Sequence, residues 1–593
     1  MSDFGYLVSV FSAVGVFGGA IALLPLPTMA KPGAPLVAQQ KLAQGNQITI
    51  NGRAVAAAWQ QWQTPSQFSV AVDETALLNH LGLQLLNTES STLQPVQWFT
   101  PAHQTLNLAA RSTSTLRYLD ITTLARQFRW QVAIAGSTLQ IVTPPARVIG
   151  IRQSQQPWGD RVVIELDQPI PWQTSFAQDL QISLDAQINP DLIRQFKSVP
   201  GRFLAAVNIE PVANQTRLRF SLSAKAATRV WSLSAPNRIV VDLRPDALIE
   251  QNIVWAPGLR WRQQIVDVTN MRIPTVWLEV APNRPNLVLQ PILPNLNRMT
   301  GTAPLFQTAN QAQVAGAING GFFNRNRQLP LGAIRLNGNW LSGPILNRGA
   351  IAWDNAGNVA FGRLSLQETL ITSTGQRFPI THLNSGYIQA GIARYTSGWG
   401  ATYTTLTDGE IIVFVQNNQV AGQQTIEKAG SAAVQIPPTG YILVLRSNRS
   451  AAATLAPGLT LQLESSTNPA DFQRYPQILG AGPLLIQNQQ IVLDARAEGF
   501  SNAFVVESAP RSAIAQRLDG TLLLVTAHTR VDGNSLTLSD MAQLLRQMGA
   551  VHALNLDGGS STTLYLGGRL LDRSPRTAAR VHNGLGISIL GDP

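Results

Sequence analysis

Ala553–Thr563 reads ALNLDGGSSTT, a stretch that places one carboxylate directly before two glycines and a run of four hydroxyls. The overlapping segment Val551–Asp557 is mostly apolar and predicts a buried strand that leads into this turn. Because side chains alternate along a strand, Ala553, Asn555 and Asp557 share one face. The stretch therefore predicts a strand that ends in a polar, glycine-rich turn.

The turn itself supports two interpretations. Gly558 and Gly559 allow a sharp bend or a close approach of the backbone to a ligand, and Ser560 and Ser561 supply hydroxyl donors. Taken alone, the pattern favours an ordinary helix–strand–turn unit with a capped loop over a functional site.

A capped helix is predicted directly upstream. Thr537 is a good N-cap, and Asp540, three residues later, suits the positive end of the helix as a short capping-box variant. Gly549 supplies the left-handed stop. Apolar residues recur at helical spacing in between: Leu538, Met541, Leu544, Leu545 and Met548.

The composition indicates several domains rich in strands. With 593 residues the chain is too long for one hydrophobic core, so three or four domains are expected. Charged residues make up only 13%, and glycine and proline are plentiful, which favours turns and strands over long helices. The predicted fold class is a multidomain, β-rich α+β protein with a small α+β stalk domain, a β-sandwich domain and a C-terminal mixed α+β domain of catalytic type.

Cysteine content and charge exclude several classes of function. The chain has no cysteine, which excludes disulfides, zinc–thiolate sites and a cysteine nucleophile. The net charge of +11 comes mostly from scattered arginines, and no Lys/Arg-rich block marks a nucleic-acid-binding tail. A dispersed positive surface suits anionic polymers such as phosphate-bearing cell-wall glycans. We therefore expect no nucleic-acid partner.

The N-terminal segment predicts export. Phe4–Ala30 has no charged residue and is mostly apolar, as in a secretory signal or a membrane anchor. One feature is atypical, because only Asp3, and no Lys or Arg, precedes the apolar run. We assign residues 1–38 to a signal peptide or membrane anchor, and Lys31–Gly45 to a Pro/Gln/Ala linker. The protein is thus expected in the periplasm or cell envelope.

Residues 45–145 predict a small α+β unit. Asn51-Gly52 is a type I′ hairpin signal, and helical patterns follow near Glu74–Leu83 and Leu119–Phe128. The unit resembles the copper amine oxidase-like N-terminal domain, which implies a stalk on an exported protein without metal or quinone chemistry. His80 and His103 are interpreted as surface or packing residues.

Residues 146–246 change to repeated short strands separated by polar turns. Two segments echo each other, Asp160–Leu166 and Asn237–Leu243. The pattern resembles the AMIN domain, a β-sandwich that attaches periplasmic enzymes to the cell wall, and it implies peptidoglycan as a partner. A β-sandwich spacer that binds nothing fits the residues equally well. Pro245–Gly258 is predicted to link this unit to the next.

Residues 262–593 hold nearly all the side chains that carry chemistry. Val314–Ile318 predicts a strand that ends in Asn319–Phe323, again a polar side chain and paired glycines where a strand leaves the sheet. Further on, Leu479–Ile486 opens a strand with small residues that leave the backbone exposed.

Two more segments of this region deliver charged side chains to strand ends. Arg511 follows a proline just ahead of a short apolar strand. Thr521–Ala527 is a second apolar strand, and His528 and Arg530 come directly after it.

Six motifs in this order resemble the phosphodiester glycosidase family, which includes the lysosomal uncovering enzyme that acts on N-acetylglucosamine phosphodiesters. They are INGGFF (Ile318–Phe323), GAGPLL (Gly480–Leu485), APRSAIA (Ala509–Ala515), LLLVTAHTR (Leu522–Arg530), TLSDMAQLLRQMGA (Thr537–Ala550) and ALNLDGGSSTTL (Ala553–Leu564). Two departures stand out. The family usually has DGGGSS, one glycine more than this chain, and it often has His where this chain has Ala509.

The resemblance implies hydrolysis of a sugar C1–O–phosphate bond. A phosphate leaving group needs little proton donation, but it gains from positive charge where negative charge accumulates. Arg511 is the candidate for that charge, because a guanidinium fork matches phosphate oxygens. Asp557 is the candidate carboxylate that stabilises or attacks the developing oxocarbenium ion, or activates water. Glu507, on an apolar run whose burial would suit an acid/base role, and His528, a proton shuttle, complete the predicted catalytic set.

The remaining predicted site residues bind substrate, and no cofactor is expected. The spacing of His382, His552 and His582 fits no metal site, so no catalytic metal is predicted; calcium held by Asp557 and backbone oxygens is the open alternative. The residues predicted to bind sugar hydroxyls or phosphate are Asn319, Gly320, Gly321, Phe322, Gly480, Gly482, Ser512, Arg530, Asn555, Gly558, Gly559, Ser560 and Ser561.

Two other functions fit the same residues. The first is a wall-binding or scaffold protein whose glycosidase-like domain has lost activity, which Ala509 and the missing glycine motivate. The second is a serine hydrolase that uses Ser560, although Gly-Gly-Ser-Ser lacks the strand–elbow–helix context of such a nucleophile.

Four aromatic residues lie in a stretch rich in Gly, Ser and Thr: Tyr387, Tyr395, Trp399 and Tyr403. Exposed rings there would stack on sugars, whereas ordinary packing under a loop is the more frequent outcome for any one of them.

Overall fold

A computed structural model describes residues 40–63, 68–101, 104–176, 179–223, 226–245, 248–281, 286–531 and 533–590. The predicted signal or anchor segment and His103 lie outside these ranges. Within the ranges, no helix is both long enough and apolar enough to cross a membrane. The chain is β-rich and multidomain, as its composition predicts.

The N-terminal strands form one sheet. They are β1 Gln40–Ile50, β2 Arg53–Gln63, β3 Phe68–Asp73, β4 Gln84–Leu85, β5 Leu93–Gln97, β6 Leu106–Ser112, β7 Arg117–Asp120, β8 Gln131–Ala135 and β9 Thr138–Val142, in the order β4-β5-β6-β7-β3-β2-β1-β9-β8. Helices α1 Glu74–Ala76 and α2 Thr122–Gln127, with a π-helical turn Leu77–Leu81, lie where helical patterns are predicted.

The predicted hairpin is present between β1 and β2. Asn51 and Gly52 both have positive φ, 50° and 82°, as a type I′ turn requires. β1 begins at Gln40, so the described part of the predicted linker Lys31–Gly45 is strand instead, because it pairs with β2.

The next strands form two sheets. They are β10 Arg147–Gln156, β11 Gly159–Leu166, β12 Trp172–Phe176, β13 Leu180–Leu184, β14 Gln187–Ile188, β15 Leu204–Val212, β16 Gln215–Leu222, β17 Ala227–Leu233 and β18 Asn237–Arg244, with helix α3 Pro190–Gln195. The sheet orders are β14-β10-β11-β18-β17 and β12-β13-β16-β15. Alternate residues such as Val162, Ile239, Ile182 and Phe220 are fully buried, as expected for a core between two sheets.

The C-terminal region begins earlier than predicted, because the expected linker Pro245–Gly258 contains a paired strand, β19. Its first strands are β19 Gln251–Ala256, β20 Leu259–Val268, β21 Met271–Val280, β22 Leu287–Ile292, β23 Ala303–Pro304, β24 Gly316–Asn319, β25 Phe323–Asn324, β26 Leu329–Pro330, β27 Ile334–Leu336, β28 Asn339–Ser342, β29 Gly349–Trp353 and β30 Val359–Arg363. Helix α4 covers Leu305–Gln311.

The middle strands of this region are β31 Ser365–Thr372, β32 Arg377–Leu383, β33 Gly391–Thr396, β34 Thr402–Thr404, β35 Glu410–Gln416, β36 Gln419–Ile426, β37 Ala433–Gln435, β38 Gly440–Arg446 and β39 Leu461–Asn468, with helix α5 Arg449–Thr454. Seven of them form a sheet in the order β36-β35-β38-β33-β32-β31-β39, so this segment is an insertion with its own sheet.

The last strands are β40 Gln477–Gly480, β41 Leu484–Gln487, β42 Gln490–Ile491, β43 Arg511–Arg517, β44 Leu522–Ala527, β45 Ala550–Asn555, β46 Leu564–Leu566, β47 Arg569–Leu570, β48 Arg580–Val581 and β49 Gly584–Ile589. Helices α6 Asn502–Val506 and α7 Leu538–Gln547 lie among them. The main sheets are β19-β20-β21-β44-β43-β45-β41-β42, β22-β49-β24-β46-β47 and β28-β27-β40-β29-β30.

The predicted helix before the anchor stretch is confirmed in detail. Thr537 and Asp540 make both hydrogen bonds of a capping box, at 3.1 and 2.9 Å, and Gly549 has φ +87°. The following strand ends at Asn555, two residues before the predicted end, because the Asp557 N–H bonds the Gly320 carbonyl outside the sheet (2.9 Å).

Candidate active site

Three of the predicted catalytic residues meet at one edge of the eight-stranded sheet. β43 runs antiparallel to both β44 and β45, so its start lies beside the ends of its two neighbours. Arg511 begins β43, His528 follows β44, and Asp557 follows β45. The antiparallel pairing therefore brings these three backbone positions to a common edge.

Asp557 lies at this edge, two residues after the end of β45. Its side chain keeps partial exposure, yet protein atoms crowd the carboxyl group, and this burial raises its pKa from 3.8 to about 6. Hydrogen bonds from Ser561 and Gly558 and the charge of Arg325 oppose that rise, while the charge of Glu507 adds to it. A carboxyl group with a pKa near neutrality suits a catalytic role.

Arg511 lies beneath the turn and not at the surface. It is 1% exposed, and its Nε donates to the Leu536 carbonyl at 3.1 Å while Nη2 donates to the Glu507 carbonyl. Nη1 lies next to Gly558, where an added Cβ would be 3.7 Å away. The predicted bidentate phosphate clamp does not fit this burial. Arg511 instead supplies a fixed positive charge under the turn, although burial lowers its pKa.

Arg325 is the surface cation whose charge acts on Asp557. No motif in the sequence marked it. Arg325 is exposed and lies in the polar loop Asn324–Gln328, directly after the NGGFF motif. Its charge favours the ionised form of Asp557 and lowers that pKa. The sequence did contain a signal that could have indicated Arg325, because Asn and Arg alternate in this loop and the loop lies close in sequence to the end of a strand.

Glu507 is exposed, so its predicted burial is wrong. The apolar run before it forms α6, a short surface helix in which Val506 is 73% exposed. Glu507 follows the helix, and its charge acts on both Asp557 and Arg511. It is therefore a second carboxylate at the rim of the site.

Asn319 and Ser512 form a buried framework under Asp557. Asn319 Nδ2 donates to the Asp557 carbonyl at 2.7 Å, and its Oδ1 accepts from Ser512 Oγ at 2.7 Å and from the Thr563 N–H at 3.0 Å. Both Asn319 and Ser512 are fully buried. Because both ends of the amide are occupied, Asn319 positions the turn and does not offer its side chain to a ligand.

The paired glycines contact protein atoms as well. The N–H groups of Gly320 and Gly321 donate to the main-chain carbonyl and side-chain Oδ1 of Asn583, at 2.9 and 2.7 Å. An added Cβ at Gly321 would lie 2.2 Å from the Gly480 carbonyl oxygen. These glycines therefore permit close packing of two loops, in place of the predicted backbone contacts with substrate.

Asn555 and Gly482 belong to the same buried framework. Asn555 Nδ2 donates to the carbonyls of Gly482 (2.9 Å) and Leu556 (2.8 Å). Asn555 Oδ1 is buried and has no hydrogen-bond partner within the described residues. The Asn555 amide thus fixes the strand end and leaves one acceptor unused.

The other predicted binding residues lie at the turn or beside it. Gly559–Ser561 form a 3₁₀ turn in which Gly559 has φ +65° and Ser560 is exposed. Arg530 lies in the loop that follows β44, where its N–H bonds the Asn534 carbonyl.

Three phenylalanines form an aromatic cluster next to the site. The ring of Phe322 packs edge-on against Phe500 and Phe504, with centroids 5.3 and 5.6 Å apart. Arg348 lies 4.1 Å over Phe500, and Arg511 lies 5.7 Å over Phe504. Phe322 alone was predicted, because Phe500, Phe504 and Arg348 lie in segments without a motif. The cluster places apolar rings flanked by two cations beside Arg511.

The loop that carries two of these rings is attached through Glu498. Its buried carboxylate accepts from the Gly349 N–H at 2.8 Å, the Leu484 N–H at 2.9 Å and Arg363 Nε at 2.9 Å. Glu498 therefore ties residues 494–507 to the sheets beneath the site.

His528 has hydrogen-bond partners at both ring nitrogens. Nε2 lies 2.7 Å from Asp572 Oδ2, and Nδ1 lies 3.2 Å from Arg573 Nη2. Because Arg573 can only donate, Nδ1 must accept, which places the ring proton on Nε2 toward Asp572. Asp572 is buried and also accepts the Leu564 N–H at 2.8 Å. Asp572 and Arg573, both missed by motif analysis, therefore fix the orientation of His528.

We expect Ser560 to resist fluorophosphonate labelling. Within the described residues no histidine bonds its hydroxyl, and its carbonyl accepts from Arg573 Nη1 (2.8 Å) and the Ala579 N–H (2.9 Å). A serine without a base keeps an unreactive hydroxyl. Labelling of the native protein that disappears in Ser560→Ala would contradict this assignment.

Three of the four aromatic residues proposed to stack on sugars are buried. Tyr395, Trp399 and Tyr403 have exposures of 0%, 5% and 0%, because they pack around a buried ion pair in the seven-stranded sheet. Tyr387 alone is half-buried. The described residues contain no group of three or more His, Asp or Glu side chains that could hold a metal ion.

Comparison with known proteins assigns a class to this fold and site. Residues 409–588 match the model of the phosphodiester glycosidase family. This segment includes Glu507, Arg511, His528 and Asp557, so the class is a β-rich multidomain protein with a phosphodiester glycosidase domain at its C-terminal end.

Individual relatives extend the comparison. The chain is 43% identical to a hypothetical protein from Synechocystis, whose crystal structure superposes with a TM-score of 0.85 and covers 92% of this chain and 99% of that one. The chain belongs to the same family as that protein.

Two curated proteins named N-acetylglucosamine-1-phosphodiester alpha-N-acetylglucosaminidase match over shorter segments. The Mus musculus protein is 38% identical over 85 residues, which is 14% of this chain and 16% of that protein. The Bos taurus protein is 30% identical over 105 residues, 16% and 20% of the two chains. The matched segments thus span a fifth or less of these relatives.

Proposed function

We propose that the C-terminal region hydrolyses the sugar C1–O–phosphate bond of a glycosyl phosphodiester. The observation that carries this proposal is Asp557, a crowded carboxylate with a pKa of about 6 that is acted on by the charge of Arg325, inside a matched glycosidase segment. The curated relatives are named for N-acetylglucosamine-1-phosphodiesters, so this sugar is the first substrate to test.

In the proposed reaction, the bond between C1 and the phosphate oxygen breaks and its electron pair leaves with the phosphate. Water supplies the new C1 hydroxyl, and the products are a free sugar and a phosphomonoester. Asp557 stabilises the positive charge that develops at C1, either by direct attack or through the incoming water. Arg325 binds the departing phosphate at the surface, and Arg511 adds positive charge from below.

The aromatic cluster and the framework have separate tasks in this scheme. Phe322 and its partners place apolar rings beside the charged groups, where a lower local dielectric strengthens electrostatic interactions. The Asn319 side chain donates a 2.7 Å hydrogen bond to the main-chain carbonyl of Asp557. This bond fixes the backbone of Asp557, and therefore the position from which its carboxylate extends.

The direct test is turnover of a synthetic N-acetylglucosamine-1-phosphodiester by the purified protein, with release of free sugar measured. Arg325→Gln should lower kcat/KM by about 10–100-fold, because a charge-assisted contact to phosphate is worth about 1.5–3 kcal/mol. Arg327→Gln is the matched control, since this exposed arginine of the same loop donates to the Leu406 carbonyl instead. Equal loss in both variants, or no turnover of any sugar phosphodiester by the native protein, would overturn the proposal.

The pH dependence follows from the pKa of Asp557. The carboxylate must be ionised to stabilise positive charge at C1, and it is protonated below about pH 6. We expect kcat/KM to rise as the pH increases through about 6 and to reach a plateau above it. Steady-state kinetics between pH 4.5 and 8 measure this limb, and a rate that falls across the same range would contradict the role of Asp557.

We also propose that the protein is exported and attaches to the cell wall through residues 146–246. An uncharged apolar segment at residues 4–30 supports export. Support for wall binding comes from stacked Arg and Trp side chains on the two-sheet region. Arg161 and Arg244 both lie over Trp158, at 5.2 and 5.3 Å from the ring centre. Indole rings stack on sugars, and guanidinium groups pair with their acidic substituents.

Wall binding is tested by cosedimentation with purified peptidoglycan. Trp158→Ala should reduce the pelleted fraction, while Arg219→Ala, an exposed residue of the opposite sheet, should leave it unchanged. Pelleting without turnover of any phosphodiester would favour the alternative function, a wall-binding scaffold. If both variants pellet to the same extent, the face that carries Trp158 is not the wall-binding surface.

A further inference from the structure

A cavity of about 200 Å³ lies where three parts of the chain meet. Gln84 and neighbouring residues of the N-terminal sheet line one side, and Arg229 of the two-sheet region lines a second. The C-terminal region contributes Gln251, Trp261 and Arg569. The volume equals roughly six water molecules at liquid density, enough for a small ion with part of its hydration shell.

Four of the residues that line this cavity each have a buried polar atom without a hydrogen bond in the described part of the chain. Four buried polar atoms have no partner within the described residues: Arg229 Nε, Gln251 Oε1, Trp261 Nε1 and Arg569 Nη2. Trp261 is 5% exposed, so water outside the protein does not satisfy its N–H. Buried donors without partners are rare in native proteins, and several around one cavity indicate a bound water, ion or ligand.

The charges around the cavity favour an anion. Its described lining includes two guanidinium groups and no carboxylate. The nearest carboxylate to Arg569 is Glu74, with Oε1 at 3.9 Å from Nη2, and Glu74 already pairs with Arg117 at 3.0 Å. Burial lowers the pKa of both Arg229 and Arg569, although the charge of Asp242 opposes this shift at Arg229 and that of Glu74 opposes it at Arg569.

We propose that this junction cavity binds a small oxyanion of the phosphate, sulfate or carboxylate class, which links the three parts of the chain. Arg229 and Arg569 supply positive charge from two sides, and the Trp261 N–H provides a neutral donor. A half-turn of the Gln251 amide presents its NH₂ group to the same ligand, since the two orientations of an amide differ only in its hydrogen bonds. Asp557 is not among the residues that line this cavity, and the proposal does not depend on the proposed reaction.

Thermal unfolding of the full chain tests the proposal. Sodium phosphate, sulfate and acetate are each titrated against chloride at constant ionic strength. A ligand that binds only the folded state raises the Tm in a saturable way, and we expect a rise of about 2 °C or more with at least one of the three. Comparison of the three anions identifies the preferred class.

Variants locate the binding. Arg569→Gln should abolish the anion-dependent rise in Tm, and Trp261→Phe, which keeps the ring and removes only the N–H, should reduce it. Trp353→Phe is the matched control, because the Trp353 N–H bonds the Leu289 carbonyl at 2.9 Å away from the cavity. That variant should retain the full anion-dependent rise, whatever its own Tm.

Two outcomes would overturn the proposal. No rise with any of the anions would mean that the cavity holds water only. A rise that persists in both Trp261→Phe and Arg569→Gln would place the anion elsewhere. If Arg569→Gln fails to fold, a crystal of the native protein soaked in tungstate decides the question, because anomalous density must then lie in the cavity and not at the surface alone.

Discussion

Asp557→Asn is expected to abolish turnover and at the same time to stabilise the protein at neutral pH. Loss of the carboxylate removes the group that faces the positive charge at C1, and we expect kcat/KM to fall by about 10³-fold, within the range for a catalytic acid or base. Asparagine has nearly the same shape, so the surrounding contacts are preserved. A variant that loses activity and gains stability shows that the native carboxylate is kept for function at a cost in folding stability.

The sign of the stability change follows from the pKa. The pKa of Asp557 is raised from 3.8 to about 6 in the folded state, so between these values the folded protein holds a proton that the unfolded chain has released. Stability therefore decreases as the pH rises through this window, and the full cost is present above pH 6. A shift of about two units corresponds to at most about 3 kcal/mol, and we expect Asp557→Asn to gain about 1–3 kcal/mol at pH 7.

Chemical denaturation at pH 7 and at pH 4 measures this effect. The gain should fall to about 0.5 kcal/mol at pH 4, where the carboxyl group is almost fully protonated in the folded state and about 40% protonated in the unfolded state. Asp267→Asn is the matched control, because Asp267 is 78% exposed and lies in the same region of the chain. An Asp557→Asn protein that is less stable than the native protein at pH 7, or that turns over substrate at the native rate, would refute the assignment.

Arg446→Met is expected to destabilise the seven-stranded sheet by about 3–5 kcal/mol, the cost of leaving one member of a buried ion pair alone. Arg446 Nε donates to Glu410 Oε1 at 2.8 Å, and its Nη2 donates to the hydroxyls of Tyr395 and Tyr403 at 3.0 and 2.9 Å. The side chains of Arg446 and Glu410 are 4% and 0% exposed. Removal of the guanidinium group leaves a buried carboxylate with no counter-charge.

Comparison with an exposed pair of the same sheet isolates the effect of burial. Arg377 and Glu464 lie on β32 and β39 with side-chain exposures of 55% and 52%, so Arg377→Met should cost less than about 1 kcal/mol. The double variant Arg446→Met/Glu410→Leu should recover part of the lost stability, because no unpaired charge is then buried. Urea denaturation measures all three, and an equal cost at Arg446 and Arg377 would contradict the network.

The sequence by itself determined the local elements and the class of the C-terminal region. The Thr537–Asp540 capping box, the stop at Gly549 and the Asn51-Gly52 turn depend on neighbours a few residues away, so a short stretch of sequence contains all of the information that specifies them. The strand ends that carry Arg511, His528 and Asp557 were predictable for the same reason, because local sequence specifies them. The order of six motifs pointed to the phosphodiester glycosidase family, whose model matches residues 409–588.

Only the tertiary structure decided how the predicted site residues are used. Asn319 meets partners 193, 238 and 244 residues away, which fully occupy its amide. Arg511 is buried under the turn, whereas the cation acting on Asp557 from the surface is Arg325, which no motif marked. Glu507 is exposed because α6 lies on the surface.

The physical reason is the range of the interactions. Side-chain periodicity and turn chemistry specify which face of an element is apolar, but they do not specify which distant group a polar side chain meets. A buried amide or guanidinium group takes whatever partners the assembled sheets bring within about 3 Å. Whether such a group faces a ligand or holds the fold together is therefore set only when those sheets pack.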